Sequence, residues 1–255
     1  MVSLPHGTGL RRFVEIDSTN EEARRLAEAG EVGPLWIVAG RQTAGRGRRG
    51  RSWASPAGNF MGTYFFRPRC GPRRAGEMSF VAAVAVHDAV SSLLPPPSRP
   101  RLKLKWPNDL LHDGAKLAGI LLESSGVAGA EVAWLAVGMG VNLAHHPEGL
   151  EYPATSLPAF GLAAVTPDDA LAALAASFDR WIAVWRGVQG FAAIREAWLA
   201  RAQGLGGPVT VRLERETIEG SFEGLAPDGA LQLRLADGAL RLIAAGDVFF
   251  AAPAH

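Results

Sequence analysis

The first segment whose residue types could do chemistry is GRGRRGR, residues 45–51. Glycine lets backbone N–H groups approach an anion closely, and arginine binds phosphate through two parallel hydrogen bonds. Five arginines and no acid lie between Arg41 and Arg51. The segment is neither a P-loop nor a dinucleotide fingerprint, because the Lys-Ser/Thr pair and the helix placement are missing. It predicts either a loop around a phosphate-bearing ligand or a solvated basic loop that touches nucleic acid.

The second segment is KWPND, residues 105–109. Because Trp106 precedes a proline, its backbone is expected to be extended. Lys105, Asn108 and Asp109 then crowd the end of a strand and the turn that follows. Binding residues collect at such edges, so this segment is a second candidate for a site.

Two further segments, KLAGI at 116–120 and GMGVN at 138–142, combine small residues with apolar strands. Lys116 opens the first of these strands, and Gly119 leaves room for a ligand that approaches closely. Asn142 ends the second and offers both a donor and an acceptor. Taken alone, Lys116 could be an exposed lysine at the end of a strand, which is the commoner case for lysines.

The elements that position these segments are an alternation of helices and strands, followed by strands alone. Caps and apolar composition predict helices at 18–30, 77–94, 166–184 and 190–200. Apolar runs predict strands at 35–39, 60–66, 102–105, 117–123 and 131–141, with a long loop at 42–58. Short strands at 209–213, 218–225, 231–235 and 240–243 predict a small barrel. The predicted fold is α+β, a mixed sheet flanked by helices and then a small C-terminal β-barrel, with domains at 1–206 and 207–255.

Composition narrows the functional classes. Of the 255 residues, 48% are hydrophobic, and 26 Lys and Arg face 25 Asp and Glu, so global charge predicts neither nucleic-acid nor membrane binding. Without a signal-peptide pattern or a long apolar run, a cytoplasmic protein is expected. A single cysteine, Cys70, fits that reducing compartment and has no histidine near it in sequence. The adjacent histidines 145 and 146 lack the spacing of metal ligands.

Together with the segment DSTN at 17–20, which precedes the first helix, these motifs resemble the biotin protein ligase family in order and spacing. GRGRRGRSW and KWPND with KLAGIL carry the resemblance, which covers about residues 13–157. It implies a class II synthetase-like catalytic domain and a reaction in two steps. The biotin carboxylate attacks the α-phosphate of ATP to give biotinyl-5′-AMP and pyrophosphate. A lysine of a biotin carboxyl carrier protein then attacks the acyl-adenylate.

The resemblance also implies roles for individual residues. The catalytic residues would be Lys116, Arg48 and Asp109, the last assisting deprotonation of the incoming lysine. Biotin would be bound by Ser18, Thr19, Asn20, Gln42, Arg46, Gly47, Arg48, Lys116 and Gly119. ATP would be bound by Arg46, Arg48, Trp53, Lys105, Asn108, Lys116 and Asn142, with Trp53 packed on adenine. Mg²⁺ would be held by the ATP phosphates rather than by a cage of protein ligands. Two alternatives stay open: Ser18 as a helix cap alone, and Trp53 as a core residue.

Other functions remain to be weighed against this one. A lipoate ligase shares the fold and a similar activation, and a nucleic-acid-binding module could use the arginine segment. Only about a dozen residues precede the first motif, so the DNA-binding domain of the repressor members is not expected. The family also suggests a homodimer formed along a sheet edge. Finally, the clustered like charges of residues 42–58 predict a loop that becomes ordered when an anion binds.

Overall fold

The computed structural model describes residues 2–125, 131–160 and 165–250. Its strands are β1 (Gly9–Phe13), β2 (Leu35–Ala39), β3 (Phe60–Phe66), β4 (Leu102–Lys105), β5 (Asp109–His112), β6 (Ala115–Ser124), β7 (Leu135–Val141), β8 (Pro208–Arg212), β9 (Thr217–Leu225), β10 (Leu231–Arg234), β11 (Leu240–Ile243) and β12 (Asp247–Phe250). Its helices are α1 (Thr19–Glu28), α2 (Pro72–Gly76), α3 (Met78–Leu93), α4 (Pro167–Arg186) and α5 (Gly190–Leu199). Short 3₁₀ turns cover Arg48–Gly50, Pro96–Arg101 and Leu157–Phe160. The predicted helices and strands are thereby confirmed as elements, with shifted ends.

The large sheet has seven strands in the order β1-β2-β3-β7-β6-β5-β4. The pair β1–β2 is parallel and the other pairs are antiparallel, so the sheet is mixed, as predicted. Strands β1 and β5 were not predicted, because GLRRF is mostly polar and DLLH is only four residues long. Residues 126–130, for which the glycines predict a turn between β6 and β7, lie outside the described residues.

Helices cover both faces of this sheet. On one face, Leu26 of α1 packs with Ile37 and Phe65. The alternate residues Trp36 and Tyr64 belong to the larger core on the opposite face, where α3, α4 and α5 lie. This division follows from the two-residue repeat of a strand, which sends neighbouring side chains to opposite faces. Helix α1 therefore stands apart from the other helices, with its N-terminus at the edge where the candidate motifs meet.

The C-terminal residues form a second, antiparallel sheet in the order β11-β10-β9-β8-β12. Its last strand, β12, was not predicted from the sequence. Among the described residues β11 and β12 do not pair, so closure into a barrel stays a prediction. The sheet packs against the rest of the chain, since Trp106 Nε1 donates to the Gly229 carbonyl at 3.1 Å. No helix in the described ranges is long and apolar enough to cross a membrane.

Candidate active site

A cavity of about 450 Å³ lies where the motifs converge, between the N-terminus of α1, the ends of β6 and β7, the arginine segment and β12. Every residue that the sequence analysis assigned to the site lines it: Ser18, Thr19, Asn20, Gln42, Arg46, Gly47, Arg48, Trp53, Lys105, Asn108, Asp109, Lys116, Gly119 and Asn142. Residues separated by more than a hundred positions are thus brought together. The ligand that each of them binds stays a prediction.

One end of the cavity is uncharged and begins at the N-terminus of α1. Ser18 caps the helix, its Oγ accepting from the Glu21 N–H at 3.5 Å, and it also lines the cavity. Gln42 Oε1 accepts from the backbone N–H and the hydroxyl of Thr19, at 2.8 and 3.1 Å. Gln42 Nε2 donates to Ser55 Oγ at 2.9 Å, which fixes the orientation of the amide. Capping and binding are therefore compatible roles for Ser18.

Thr63, on β3, contacts the residues of this end from the protein interior. It was not among the residues predicted from the sequence. It is fully buried, and its hydroxyl lies 2.8 Å from Thr19 Oγ1 and 2.6 Å from Asn20 Oδ1. Asn20 Nδ2 donates in turn to Glu123 Oε2 at 2.8 Å. Thr63 is the one aliphatic hydroxyl in the strand FMGTYFF, but the strand's sequence does not indicate which residues it contacts. The resulting network holds Thr19 and Asn20 in fixed positions.

Two glycines of the GMG motif make the floor of the cavity. A Cβ on Gly138 would lie 2.5 Å from Asn20 Oδ1, and a Cβ on Gly140 would lie 2.5 Å from Trp53 Nε1. A Cβ on Gly119 would meet Trp53 Cζ3 at 3.0 Å. Contacts this short are not tolerated between real atoms, so glycine is required for Asn20 and Trp53 to lie where they do. Trp53 is half-buried against these strands rather than enclosed in the core.

The other end of the cavity is charged. Lys116 Nζ lies 2.7 Å from Asp109 Oδ1, and both side chains are largely buried. Lys105 is more deeply buried, with its Nζ 3.5 Å from the centre of the Tyr152 ring. Burial, with a smaller contribution from the positive charge of Lys116, lowers the pKa of Lys105 to about 8. Lys116 is paired with Asp109, while Lys105 has no ion-pair partner among the described residues, so this end of the cavity favours the arrival of an anion.

Arg48 enters the cavity from the arginine segment. It is half-buried, and its Nη1 donates to Asn108 Oδ1 at 3.4 Å. Asn108 is itself held by its Nδ2, which donates to the Ile120 carbonyl at 2.6 Å. Burial lowers the pKa of the Arg48 guanidinium, and no acid among the described residues lies within ion-pair distance of it. A buried cation in this position is a strong candidate for binding phosphate.

The other arginines of the segment are neutralised by acids outside it. Arg46 Nη2 lies 2.9 Å from Glu21 Oε2, and Arg49 Nη1 lies 3.1 Å from Asp247 Oδ2, which also pairs with Arg51. The segment is a tight turn closed by the Gly47 N–H, which donates to the Arg51 carbonyl at 2.7 Å. An interpretation as a solvated loop of free positive charge is therefore not supported.

The oxygen atoms that line the cavity indicate whether Mg²⁺ fits this site. Asn142 Oδ1 is buried without a hydrogen-bond partner, while its Nδ2 donates to the Thr155 carbonyl at 3.0 Å. No group of three or more His, Cys, Asp or Glu side chains within the described ranges could hold a metal ion. Mg²⁺ commonly keeps most of its ligands from phosphate and water, so one orphaned amide oxygen and a carboxylate fit it. His146 hydrogen-bonds Ser156 Oγ at 2.9 Å instead.

Two more residues that line the cavity had no signal in the sequence. Tyr152 follows β7 in an irregular segment and stacks on Phe249, with ring centres 4.8 Å apart. Asp247 opens the unpredicted strand β12. Both reach the cavity only because the second sheet packs beside it. The second sheet is thus part of the candidate active site.

Comparisons with known proteins agree with this geometry. Residues 13–142 match the model of the biotin/lipoate A/B protein ligase family, and residues 204–251 match that of the biotin protein ligase C-terminal domain. A biotin–[acetyl-CoA-carboxylase] ligase of Paracoccus denitrificans is 48% identical over 239 residues, which make up 92% of this chain and 97% of the relative. A protein of the same name from Mycobacterium tuberculosis is 33% identical over 251 residues, 95% of this chain and 90% of its own.

A solved structure extends the likeness to three dimensions. The biotin protein ligase from Aquifex aeolicus in complex with biotin and ATP is 26% identical, with a TM-score of 0.78. The match covers 94% of this chain and 97% of that chain. The chain therefore belongs to the biotin/lipoate A/B protein ligase family, and within it to the biotin protein ligases.

Proposed function

We propose that this chain is an ATP-dependent biotin protein ligase. It activates biotin to biotinyl-5′-AMP and then transfers the biotin to a lysine of a biotin carboxyl carrier protein. The observation that carries the proposal is the division of one cavity into an uncharged, hydrogen-bonding end and a cationic end. Biotinyl-5′-AMP has the same division, a neutral ureido ring system at one end and an anionic phosphate towards the other.

In the first step, the biotin head binds at the uncharged end, against Ser18, Thr19, Asn20 and Gln42. Its carboxylate then points towards Gly47, Arg48 and Lys116, where the α-phosphate of ATP also lies. A carboxylate oxygen forms a bond to phosphorus, and the bond to pyrophosphate breaks. No proton has to move, because the nucleophile is already ionised. The reaction instead needs positive charge where two anions meet, and Arg48 and Lys116 supply it.

In the second step, the amine of the carrier lysine attacks the acyl carbon, and AMP leaves. The attacking amine must first lose a proton, and Asp109, the carboxylate paired with Lys116, is our candidate to accept it. When the phosphate draws Lys116 away, Asp109 becomes free to accept that proton. Asp109 thus acts in both steps, as the partner of Lys116 first and as the base afterwards.

The nucleotide lies along the charged end, towards β12. Lys105, Asn108 and Arg46 line its path, and Trp53 packs on the adenine. Mg²⁺ would be held by the ATP phosphates, with Asn142 Oδ1 as a protein oxygen available to it, and would supply neutralisation of part of the phosphate charge.

The experiment that tests this function is ATP–pyrophosphate exchange with biotin, with lipoate or with no acid. Biotin should support exchange, and lipoate should not. Exchange driven by lipoate but not by biotin would favour the lipoate ligase alternative. Incubation with ATP, biotin and a purified biotin carboxyl carrier domain should add one biotin to a single lysine, as read by mass spectrometry.

We also propose that the protein is cytoplasmic and forms a homodimer along a sheet edge. Its catalytic domain spans residues 1–206, and a small barrel spans residues 207–255. It includes no sequence-specific binding of DNA. Three arginines of the basic segment are already paired with acids, so binding to DNA should be weak and steeply salt-dependent. A sequence-specific shift that resists salt would refute this part.

A further inference from the structure

Asp247, the first residue of β12, contacts the arginine segment from the second sheet. Its carboxylate pairs with Arg49 and Arg51, and only 18% of its side chain is exposed. These contacts join positions almost two hundred residues apart. They connect the second sheet directly to the loop that carries Arg48.

The contacts matter because of the shape of the turn. Arg49 has a left-handed backbone with φ of 56°, which is unfavourable for a residue with a side chain. This backbone sends Arg49 outward to Asp247, while Arg48 points inward to Asn108 at 3.4 Å. Without a partner for Arg49 and Arg51, three like charges would repel one another on one short turn, against which only hydrogen bonds such as that from the Gly47 N–H to the Arg51 carbonyl would act.

The charges around Arg48 also connect it to Asp247. Arg48 is half-buried, and among nearby charges Asp247 contributes most to keeping its guanidinium protonated. Asp247 makes no hydrogen bond to Arg48, and its Oδ2 accepts instead from Arg49 and Arg51. It thus acts on the cavity through the neighbours of Arg48.

We infer that Asp247 is a positioning residue: by holding Arg49 and Arg51 it keeps the turn closed with Arg48 in the cavity, and so retains the acyl-adenylate until the carrier lysine arrives. This inference rests on the proposed function. It assigns the second sheet a task in the reaction, that of fixing the arginine segment over the intermediate.

The test measures how long the full-length protein retains biotinyl-5′-AMP, after a chase with excess unlabelled biotin. Asp247→Asn should release the adenylate about tenfold faster, which corresponds to about 1.4 kcal/mol. Asp247→Glu should restore most of the retention. Arg49→Gln with Arg51→Gln breaks the same contact from exposed side chains, and should match Asp247→Asn. A variant that combines Asp247→Asn, Arg49→Gln and Arg51→Gln should release the adenylate no faster than Asp247→Asn alone or the double arginine variant.

Two controls separate this role from a merely structural one. Glu223→Gln removes an acid of the same sheet that pairs with Arg234, away from the cavity, and should retain the adenylate normally. Amide hydrogen exchange at residues 46–52 of the ligand-free protein should speed up in Asp247→Asn and not in Glu223→Gln. If Asp247→Asn keeps the adenylate as long as the wild type, the inference is wrong. If the wild type makes no adenylate at all, the proposed function fails instead.

Discussion

The two ends of the cavity are built by different means. The uncharged end lies on regular elements, α1 and β3, whose side chains are joined by hydrogen bonds to one another, as with Thr19, Asn20 and Thr63. The charged end combines Lys105, Asp109 and Lys116, on three strands of the large sheet, with Arg48 on a turn. It contains the ion pair of Lys116 with Asp109. One end thus has its donors and acceptors fixed by hydrogen bonds within the protein, while the other contains an ion pair that an anionic ligand could replace.

This difference suggests that the two ends of the cavity have different roles in binding and catalysis. A neutral ring system gains most from donors and acceptors fixed in advance, because ordering them on binding would cost entropy. Phosphates bring their own charge, and can replace Asp109 as the partner of Lys116. We therefore expect damage at the uncharged end to raise the Kd of biotin, and damage at the charged end to slow adenylate formation or to weaken ATP binding.

The largest effect is expected from Lys116→Gln. Loss of a charge placed where two anions are pushed together typically costs about 3 to 4 kcal/mol, roughly a hundredfold or more in rate. Adenylate formation in single turnover should slow by that factor, with little change in the stability of the fold. The control is Lys103→Gln on β4, which does not line the cavity. If Lys116→Gln forms the adenylate at a near-normal rate while Lys103→Gln forms it slowly, the catalytic charge is not that of Lys116.

A smaller effect, confined to biotin, is expected from Gly138→Ala. The added Cβ would lie 2.5 Å from Asn20 Oδ1, so Asn20 must leave its contacts with Thr63 and Glu123. Loss of such a network should raise the Kd of biotin about tenfold, with the Kd of ATP nearly unchanged.

Gly76→Ala is the matched control for this variant, because a Cβ there meets nothing within 4 Å. Calorimetric titration with each ligand alone measures both constants. A variant at Gly138 that binds biotin normally and ATP weakly would reverse the assignment of the two ends.

The smallest effect concerns pH. Burial lowers the pKa of Lys105 to about 8, so its charge is present below pH 8 and is lost as the pH rises through that value. An anion binds better to the charged form, and the Kd of ATP should therefore increase a few-fold between pH 7 and pH 9. Lys105→Met should bind ATP more weakly at pH 7 and lose most of that pH dependence. An unchanged pH profile in Lys105→Met would assign the dependence to another group.

The sequence predicted the parts of the site that form continuous motifs. GRGRRGR, KWPND, KLAGI and GMGVN each contain residues that line the cavity, and the small residues among them proved to leave room for Asn20 and Trp53. Five of the seven strands of the large sheet and the helices α1, α3, α4 and α5 were predicted for the same reason, because their caps and apolar patterns are local.

Thr63, Tyr152 and Asp247 could not be predicted, because their roles depend on contacts between distant parts of the chain. Nothing around Asp247 indicates that its carboxylate meets arginines on the far side of the sequence. Its strand, DVFF, is four residues long and was not predicted at all. The arginine segment likewise contains no acid, and only the fold shows which acids neutralise it.

The most direct test of this account is a crystal structure of the protein with biotinyl-5′-AMP. The account predicts that the ureido group contacts Thr19, Asn20 or Gln42, and that the phosphate lies within ion-pair distance of both Arg48 and Lys116, with Asp109 released from Lys116. A ligand bound in the reverse direction, with its phosphate beside α1 and its ring system among the lysines, would contradict it.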